Sequence, residues 1–330
     1  MKKMLLSACV ATACWMSETE AMNGCREDYS SEENCSVHEV YEGEELDISS
    51  CGDGGEIDVQ YLIQHAEFPE VETMTADLKS AFRMIYRSPV VVYAAKEQSL
   101  VRWNRFPKVK ELVLKSDEEF EKVRRSLCDM LHYDFGLYVE ITEIPRIDSL
   151  EELDMSNLNL IAIPESIQNL RNLKLLDLGG NPLEELPQSI GNLSKLEHLY
   201  LGTKDYMEGR NNLKILPDSI GNLTNLETLD LTRCSLEKLP ESIGNLSNLE
   251  MLVLESNLLS ELPESIGNLT NLETLDLTNC PLASVPESIG NLTNLEDFFV
   301  DDYVVLPPTV RNLKKLEPGR LEELEEQIED

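Results

Sequence analysis

The chain has 330 residues, a formal net charge of −34 and a sequence pI near 4.4. That balance excludes recognition of a nucleic-acid backbone or an anionic membrane surface and leaves two readings of the acids, a cationic partner or a merely solvated face. Aromatic residues are only 6% of the chain, so the core must be aliphatic, and the length suits two ordinary domains or one extended repeat array.

The first 21 residues, MKKMLLSACVATACWMSETEA, have the three parts of an export signal. Lys2 and Lys3 form the positive end, Met4 to Met16 the apolar middle, and Thr19, Glu20 and Ala21 a small-residue cleavage site. The alternative within the same stretch is a lipobox at Leu6 to Cys9, with Cys9 lipidated. The apolar middle is too short to span a bilayer and no later run approaches about 20 apolar residues, so membrane insertion is not expected. In an oxidising compartment Cys25, Cys35, Cys51 and Cys128 are candidates for disulfides, with the connectivity open.

Residues 22–57 carry eleven acids against one base and read as disordered or loop-rich. Asp47, Ser49, Cys51, Gly52 and Asp58 approach calcium-loop spacing, but a thiol is a poor ligand for a hard cation and the bidentate Glu is missing, so no metal site is expected. Residues 58–147 read as a small α+β capping region. The stretch TADLKSAFRMIYRS has helix-compatible spacing, PVVVYAA reads as a buried strand, and Ser116 to Glu119 form a capping box before a helix. Val109, Leu112 and Leu114 look like the strand of a degenerate repeat, with Ile141, Ile144 and Pro145 as its second half.

From residue 148 to 315 a unit L-x-x-L-x-L-x-x-N-x-L-x-x-L-P-x-S-I-G-N-L-x-N recurs about seven times. Units start at Leu150, Leu173, Leu196, Leu226, Leu249, Leu272 and Leu295, in steps of 23 residues except for one of 30. Such a period signals a solenoid. Positions four and six of each unit alternate with polar residues, which gives one strand per repeat with its apolar side inward. Position nine holds Asn181, Asn211 and Asn257, whose buried amides can bond neighbouring turns, and Cys234 and Cys280 take the same slot as inert, unpaired ladder residues. A proline then starts one helical turn and a glycine ends it. Residues 316–330 read as a capping helix presenting Leu321, Leu324 and Ile328 to the last repeat.

These units resemble leucine-rich repeats of the 23-residue class found in Ras-group signalling scaffolds, scribble-like proteins and plant disease-resistance-type proteins. The resemblance implies an α/β solenoid, a curved horseshoe with a parallel concave β-sheet, and it brings no catalytic residues. Leu158 and Tyr303 depart from the pattern at position nine, and seven surplus residues depart from it after Leu201.

His38, His65, His132 and His198 are scattered, and no HExxH, CxxC, GxSxG or phosphate-binding glycine loop occurs, so neither an enzyme nor a cofactor is expected. Binding is the better reading. Positions two, three, five, seven and eight of each unit face outward from the concave sheet, and acids recur at positions two and five. His198, Tyr200, Met251, Val253 and Phe299 break that template with aromatic or apolar groups. Lys204, Tyr206, Met207 and Arg210, in the surplus stretch GTKDYMEGR, lie beside the same face. The expectation is a monomeric, exported recognition module for a protein or peptide, basic if the acids are functional, with two alternatives: an intracellular scaffold, or an enzyme within 58–147.

Overall fold

The computed structural model describes residues 45–47, 73–77, 83–87, 92–93, 111–115, 138–203 and 210–328. The expected leader with Cys9 and Ala21, the helix after Ser116, and Cys25, Cys35, Cys51 and Cys128 lie outside the described residues, as do Lys204, Tyr206 and Met207.

A parallel sheet of ten short strands forms one face. Its order is β1 (Glu45–Asp47), β2 (Thr73–Asp77), β5 (Glu111–Lys115), β7 (Glu152–Asp154), β9 (Leu175–Asp177), β10 (His198–Tyr200), β11 (Thr228–Asp230), β12 (Met251–Val253), β13 (Thr274–Asp276) and β14 (Asp297–Phe299). A second sheet runs β4 (Val92–Tyr93), β3 (Arg83–Arg87), β6 (Tyr138–Glu143), β8 (Leu160–Ala162). Single bridges such as Ile215 to Lys238 and Ser284 to Val305 link later repeats at positions related to β8.

From β7 onward each repeat follows one plan. Apolar residues at positions one, four and six are buried, leucines in the middle repeats such as Leu226, Leu229 and Leu231, with Met155, Phe298 and Val300 at the ends. An extended proline with φ between −66° and −73° then opens a five-residue 3-10 turn, from Glu165–Asn169 to Pro308–Asn312. The isoleucine of that turn and the leucine three positions on close the core from the convex side.

Glycine in the turn has a different role from the expected helix stop. A Cβ on Gly191, Gly221, Gly244 or Gly267 would stand 2.3–2.4 Å from the serine carbonyl of the next repeat. The residue is small because adjacent turns nearly touch there.

The N-terminal region departs from expectation in two places. The stretch read as a helix supplies β2 and β3 instead, and β1 falls within the segment read as disordered or loop-rich. Short apolar runs do not separate a helix from a strand by period, and sheet pairing decides: β2 pairs in register with β5, and β3 runs antiparallel to β6. β5 contains the expected Leu112 and Leu114 and pairs with β7, Leu112 opposite Leu153. At the other end, helix α1 (Pro318–Glu325) buries Leu324 and packs Leu321 against the core, while Arg320 Nε donates to the Phe298 carbonyl at 3.2 Å. Ile328, expected on the same helix, instead follows it, bridging to Leu306 and packing on the core.

Two glycine variants check the close stacking. Gly244→Ala, with Ser265 O 2.4 Å from the new carbon, is expected to lose about 1–3 kcal/mol of stability in urea unfolding. Gly319→Ala meets nothing within 4 Å and lies in helix α1, so it should gain about 0.5–1 kcal/mol.

Candidate functional site

The strands of the repeats pair parallel and without slippage, so equivalent side chains fall into columns. His198 lies opposite Leu175 and Thr228, and Tyr200 opposite Asp177 and Asp230. Column five therefore reads Asp154, Asp177, Tyr200, Asp230, Val253, Asp276, Phe299. The insertion after Leu201 leaves this register undisturbed.

The acids of column five hold the ends of their own strands. Asp154 Oδ1 accepts from the Ser156 N–H at 2.9 Å and Asp177 Oδ1 from the Gly179 N–H at 2.8 Å. Asp230 and Asp276 each accept two bonds two residues on, from the N–H and hydroxyl of Thr232 and of Thr278. These are local turns of the kind Asp makes with its own backbone. The template acid at this position thus has a structural use, whereas the glutamates of position two form a row on successive strands, from Glu197 to Glu296. Ion pairs touch that face at Lys174 to Glu151 (2.8 Å), Arg233 to Glu255 (3.7 Å) and Lys315 to Glu296 (3.9 Å).

Stacked like charge leaves a signature. Burial raises the Asp177 carboxyl above the ordinary carboxylate range, and Asp154 and Asp230 raise it further against the Gly179 bond. Tyr200, between Asp177 and Asp230, is raised by burial and by both acids.

Where the template Thr of position three or Asp of position five is missing, apolar or aromatic groups take its place. Met251 is 41% exposed and Phe299 is 42% exposed, while His198, Tyr200 and Val253 are half-buried. The rings of His198 and Tyr200 stack with centroids 6.4 Å apart and planes 15° from parallel. His198 Nδ1 is buried and has no hydrogen-bond partner among the described residues. These five residues share the concave sheet. Arg210 is exposed at the returning end of the inserted loop. Leu258 (56% exposed) and Tyr303 (63% exposed) follow the strands of the same two repeats that carry Val253 and Phe299; nothing singled out Leu258 from the sequence, because position ten varies.

At position nine the chain turns inward after a left-handed residue, such as Asn157, Arg233, Ser256 or Asn279. The amide that follows then clamps two repeats. Asn181 Nδ2 donates to the Met155 and Leu178 carbonyls, and its Oδ1 accepts from Leu158 N and Leu160 N. Asn257 does the same with Leu231, Leu254 and Leu236. Asn211 reaches the Leu178 and Leu201 carbonyls, so it also ties the returning end of the inserted loop to the strand it left. Cys234 Sγ and Cys280 Sγ each lie 3.3 Å from the preceding repeat's carbonyl, Leu201 and Leu254. Both cysteines are free and buried. Burial raises both thiols, with Asp230 adding for Cys234, and Cys280 reaches about 11. In the last repeat the slot holds the largely exposed Tyr303, whose hydroxyl instead donates to the Cys280 carbonyl of the preceding repeat at 2.7 Å.

Sequence reasoning missed a second asparagine row. The final Asn of each unit donates to a carbonyl of the preceding repeat: Asn225 to Ser194, Asn248 to Thr224, Asn271 to Ser247 and Asn294 to Thr270, at 2.7–2.9 Å. Its signal was present, since that Asn recurs with the period, but an exposed residue gives no sign of the carbonyl it meets.

Among the described residues no group of three His, Cys, Asp or Glu side chains could hold a metal ion, and no helix is long and apolar enough to cross a membrane.

A model of the "Leucine Rich Repeat" family matches residues 149–170, 172–193 and 225–246, and one described as a "Leucine-rich repeat region" matches 252–328. This is a leucine-rich repeat protein. The unmatched gap between residues 193 and 225 is the repeat that holds the insertion. No curated protein matches the sequence. Among solved structures, the leucine-rich repeat protein resembles a TDR receptor at 25% identity and a TM-score of 0.51, covering 76% of this chain and 40% of that one. The Drosophila Toll–Spätzle complex matches at 22% identity and a TM-score of 0.54, covering 78% and 30%, and shows the fold alone. A leucine-rich repeat protein of Leptospira interrogans matches at 21% and a TM-score of 0.44, covering 82% and 58%. The chain thus spans less than two thirds of the length of each.

Two outcomes test the ladder and the charged column. Alkylation of native protein followed by peptide mapping should leave Cys234 and Cys280 unmodified at pH 8, with both labelled fully in denaturant. Because Asp177 titrates higher folded than unfolded, its contribution favours folding fully below an unfolded pKa of about 3.9 and is lost as pH rises through the folded value. Asp177→Asn keeps the acceptor for Gly179 and should add up to about 1 kcal/mol at pH 7 in low salt, with no gain at pH 3, by thermal unfolding.

Proposed function

We propose that this protein is a non-catalytic recognition module that grips a protein or peptide on its concave face. The observation that carries the reading is the set of Tyr200, Met251, Val253 and Phe299, held outward on an in-register sheet whose other outward strand positions, Leu175 apart, are polar. Rigid aromatic and apolar groups on a preformed surface are the usual anchors of interfaces, and they lose little conformational freedom on binding. The likeness to a receptor at a TM-score of 0.51 supports the same reading.

The face extends to the loop that leaves the sheet at Gly202. Gly202 itself is fixed by packing, since a Cβ there would meet Asp230 Oδ1 at 2.4 Å. Lys204, Tyr206, Met207 and Arg210 belong to the proposal as additional contacts and as positive charge on an acidic face. Export behind a leader ending near Ala21 completes the reading and places the partner outside the cell that makes the protein. The mass of the mature N-terminus tests that part; an intact Met1 on cytosolic protein favours the intracellular scaffold instead.

Affinity capture with intact protein, a Tyr200→Ala, Phe299→Ala double variant and an Ile215→Ala control tests the face. Ile215 is 64% exposed but sits in the bridge to Lys238, away from the concave strands. Loss of an aromatic anchor costs about 2 kcal/mol or more, about 30-fold in affinity, so the double variant should lose its partner while the control keeps it. Equal recovery of every bound protein by all three refutes the concave assignment.

A further inference from the structure

The anchors of the concave face are not scattered. They occupy every second strand: His198 and Tyr200 on β10, Met251 and Val253 on β12, Phe299 on β14. Between them β11 and β13 carry the template pair, Thr228 with Asp230 and Thr274 with Asp276. Both carboxylates are fixed in place, because Oδ1 of each accepts two bonds from the threonine two residues on. The face therefore alternates, apolar, acidic, apolar, acidic, apolar, along one column.

Parallel strands lie about 4.8 Å apart, so Tyr200, Val253 and Phe299 follow one another at about 10 Å. That pitch selects the conformation of whatever lies across the strands. A β-strand presents same-face side chains every two residues, about 6.6 Å, and falls out of step at the first repeat. An α-helix returns to the same face after seven residues, about 10.5 Å, and its greater diameter holds most of it away from a concave surface. A polyproline II chain advances about 3.1 Å per residue with three residues per turn, so every third side chain faces the same way at about 9.3 Å. Its intervening residues point about 120° to either side of that face, from which a long basic side chain can reach back to the Asp230 and Asp276 positions between the apolar sites. Aromatic rings are also the usual platform for such chains.

We propose that the concave face between β10 and β14 reads a peptide in polyproline II conformation, with an apolar residue at every third position over seven residues and basic residues between them. This rests on the concave face being the binding surface. It adds the ligand's conformation, period and charge, which that reading leaves open. Charge complementarity argues for the basic residues: the acids of column five flank each apolar site, and the glutamates of position two, Glu227, Glu250 and Glu273, run alongside.

Fluorescence anisotropy with the intact chain and four labelled peptides tests it. The first peptide repeats a leucine–lysine–proline triplet four times. The second spaces the same leucines every fourth residue, the third replaces lysine by glutamate, and the fourth is an amphipathic basic helix. The triplet peptide should bind at least tenfold more tightly than each of the others, and its binding should weaken with salt. Val253→Asp restores the residue that the fourth and sixth repeats carry at this column, and Phe299→Ala removes an exposed ring, so both should fold, as circular dichroism will show. Each should weaken triplet binding at least tenfold. Equal binding of triplet and quadruplet spacings, preference for the helix, or indifference to both substitutions overturns the proposal. If no peptide binds while the Tyr200→Ala, Phe299→Ala variant still loses its captured partner, the concave face stands and the triplet ruler falls.

Discussion

The hydrogen bonds of the buried amides at position nine hold the array together. Each repeat turns inward after its strand and leaves carbonyls and N–H groups that it cannot satisfy alone. Asn181 and Asn257 answer two carbonyls and at least one N–H each, most of them in the preceding repeat. An unmade bond at such a depth costs about 1–3 kcal/mol, so a lone repeat has no stable form and the chain is stable only as a stack. A cysteine in the slot supplies one weak contact in place of that network, which shows how much the neighbouring amides carry.

A second constraint acts on the opposite side. Turn glycines meet the next repeat's backbone within van der Waals distance, and the exposed asparagine row fixes the same spacing by hydrogen bonds. With the repeat pitch set at the strand, at the amide ladder and at the turn, side chains on the concave face have little freedom to drift apart. The interaction surface inherits its rigidity from groups that no partner touches. The acids of column five belong to this framework as well, since they end the strands they stand on. The column-five part of the negative charge on this face thus also terminates strands, and where it is absent an apolar or aromatic group faces outward.

Much of this was legible in the sequence, for a physical reason. The period of 23 residues is imposed by a core that repeats, so buried leucines, the ladder asparagines and the turn prolines announce themselves. Residues 58–147 were less legible, because their strands recur without a fixed period and are held by pairing with distant partners: the helix read over β2 and β3 fails because β5 and β6 recruit those residues into sheets. The turn glycine was recognised but misunderstood, since a sequence shows that a side chain is small and not what lies 2.4 Å away. On the candidate face the outward positions of Tyr200, Val253 and Phe299 were readable from register alone. The structural use of Asp230 and Asp276 was not, because a carboxylate bonded two residues ahead looks in sequence like any other surface acid.

The alternation of repeat types also bears on how such a protein can change length. Position nine alternates between Asn and Cys in the same phase as column five alternates between apolar groups and Asp, from Asn211 with Tyr200 to Cys280 with Asp276. These four repeats are therefore built as two pairs, whereas the first two, with Asp154 and Asp177 in column five, do not alternate. Gain or loss of a pair moves the end of the array by about 10 Å and leaves every buried contact and every surface column in phase. Gain or loss of a single repeat would set one part of the alternating face against the other. A change in length that keeps the β10–β14 face in phase therefore comes in twos.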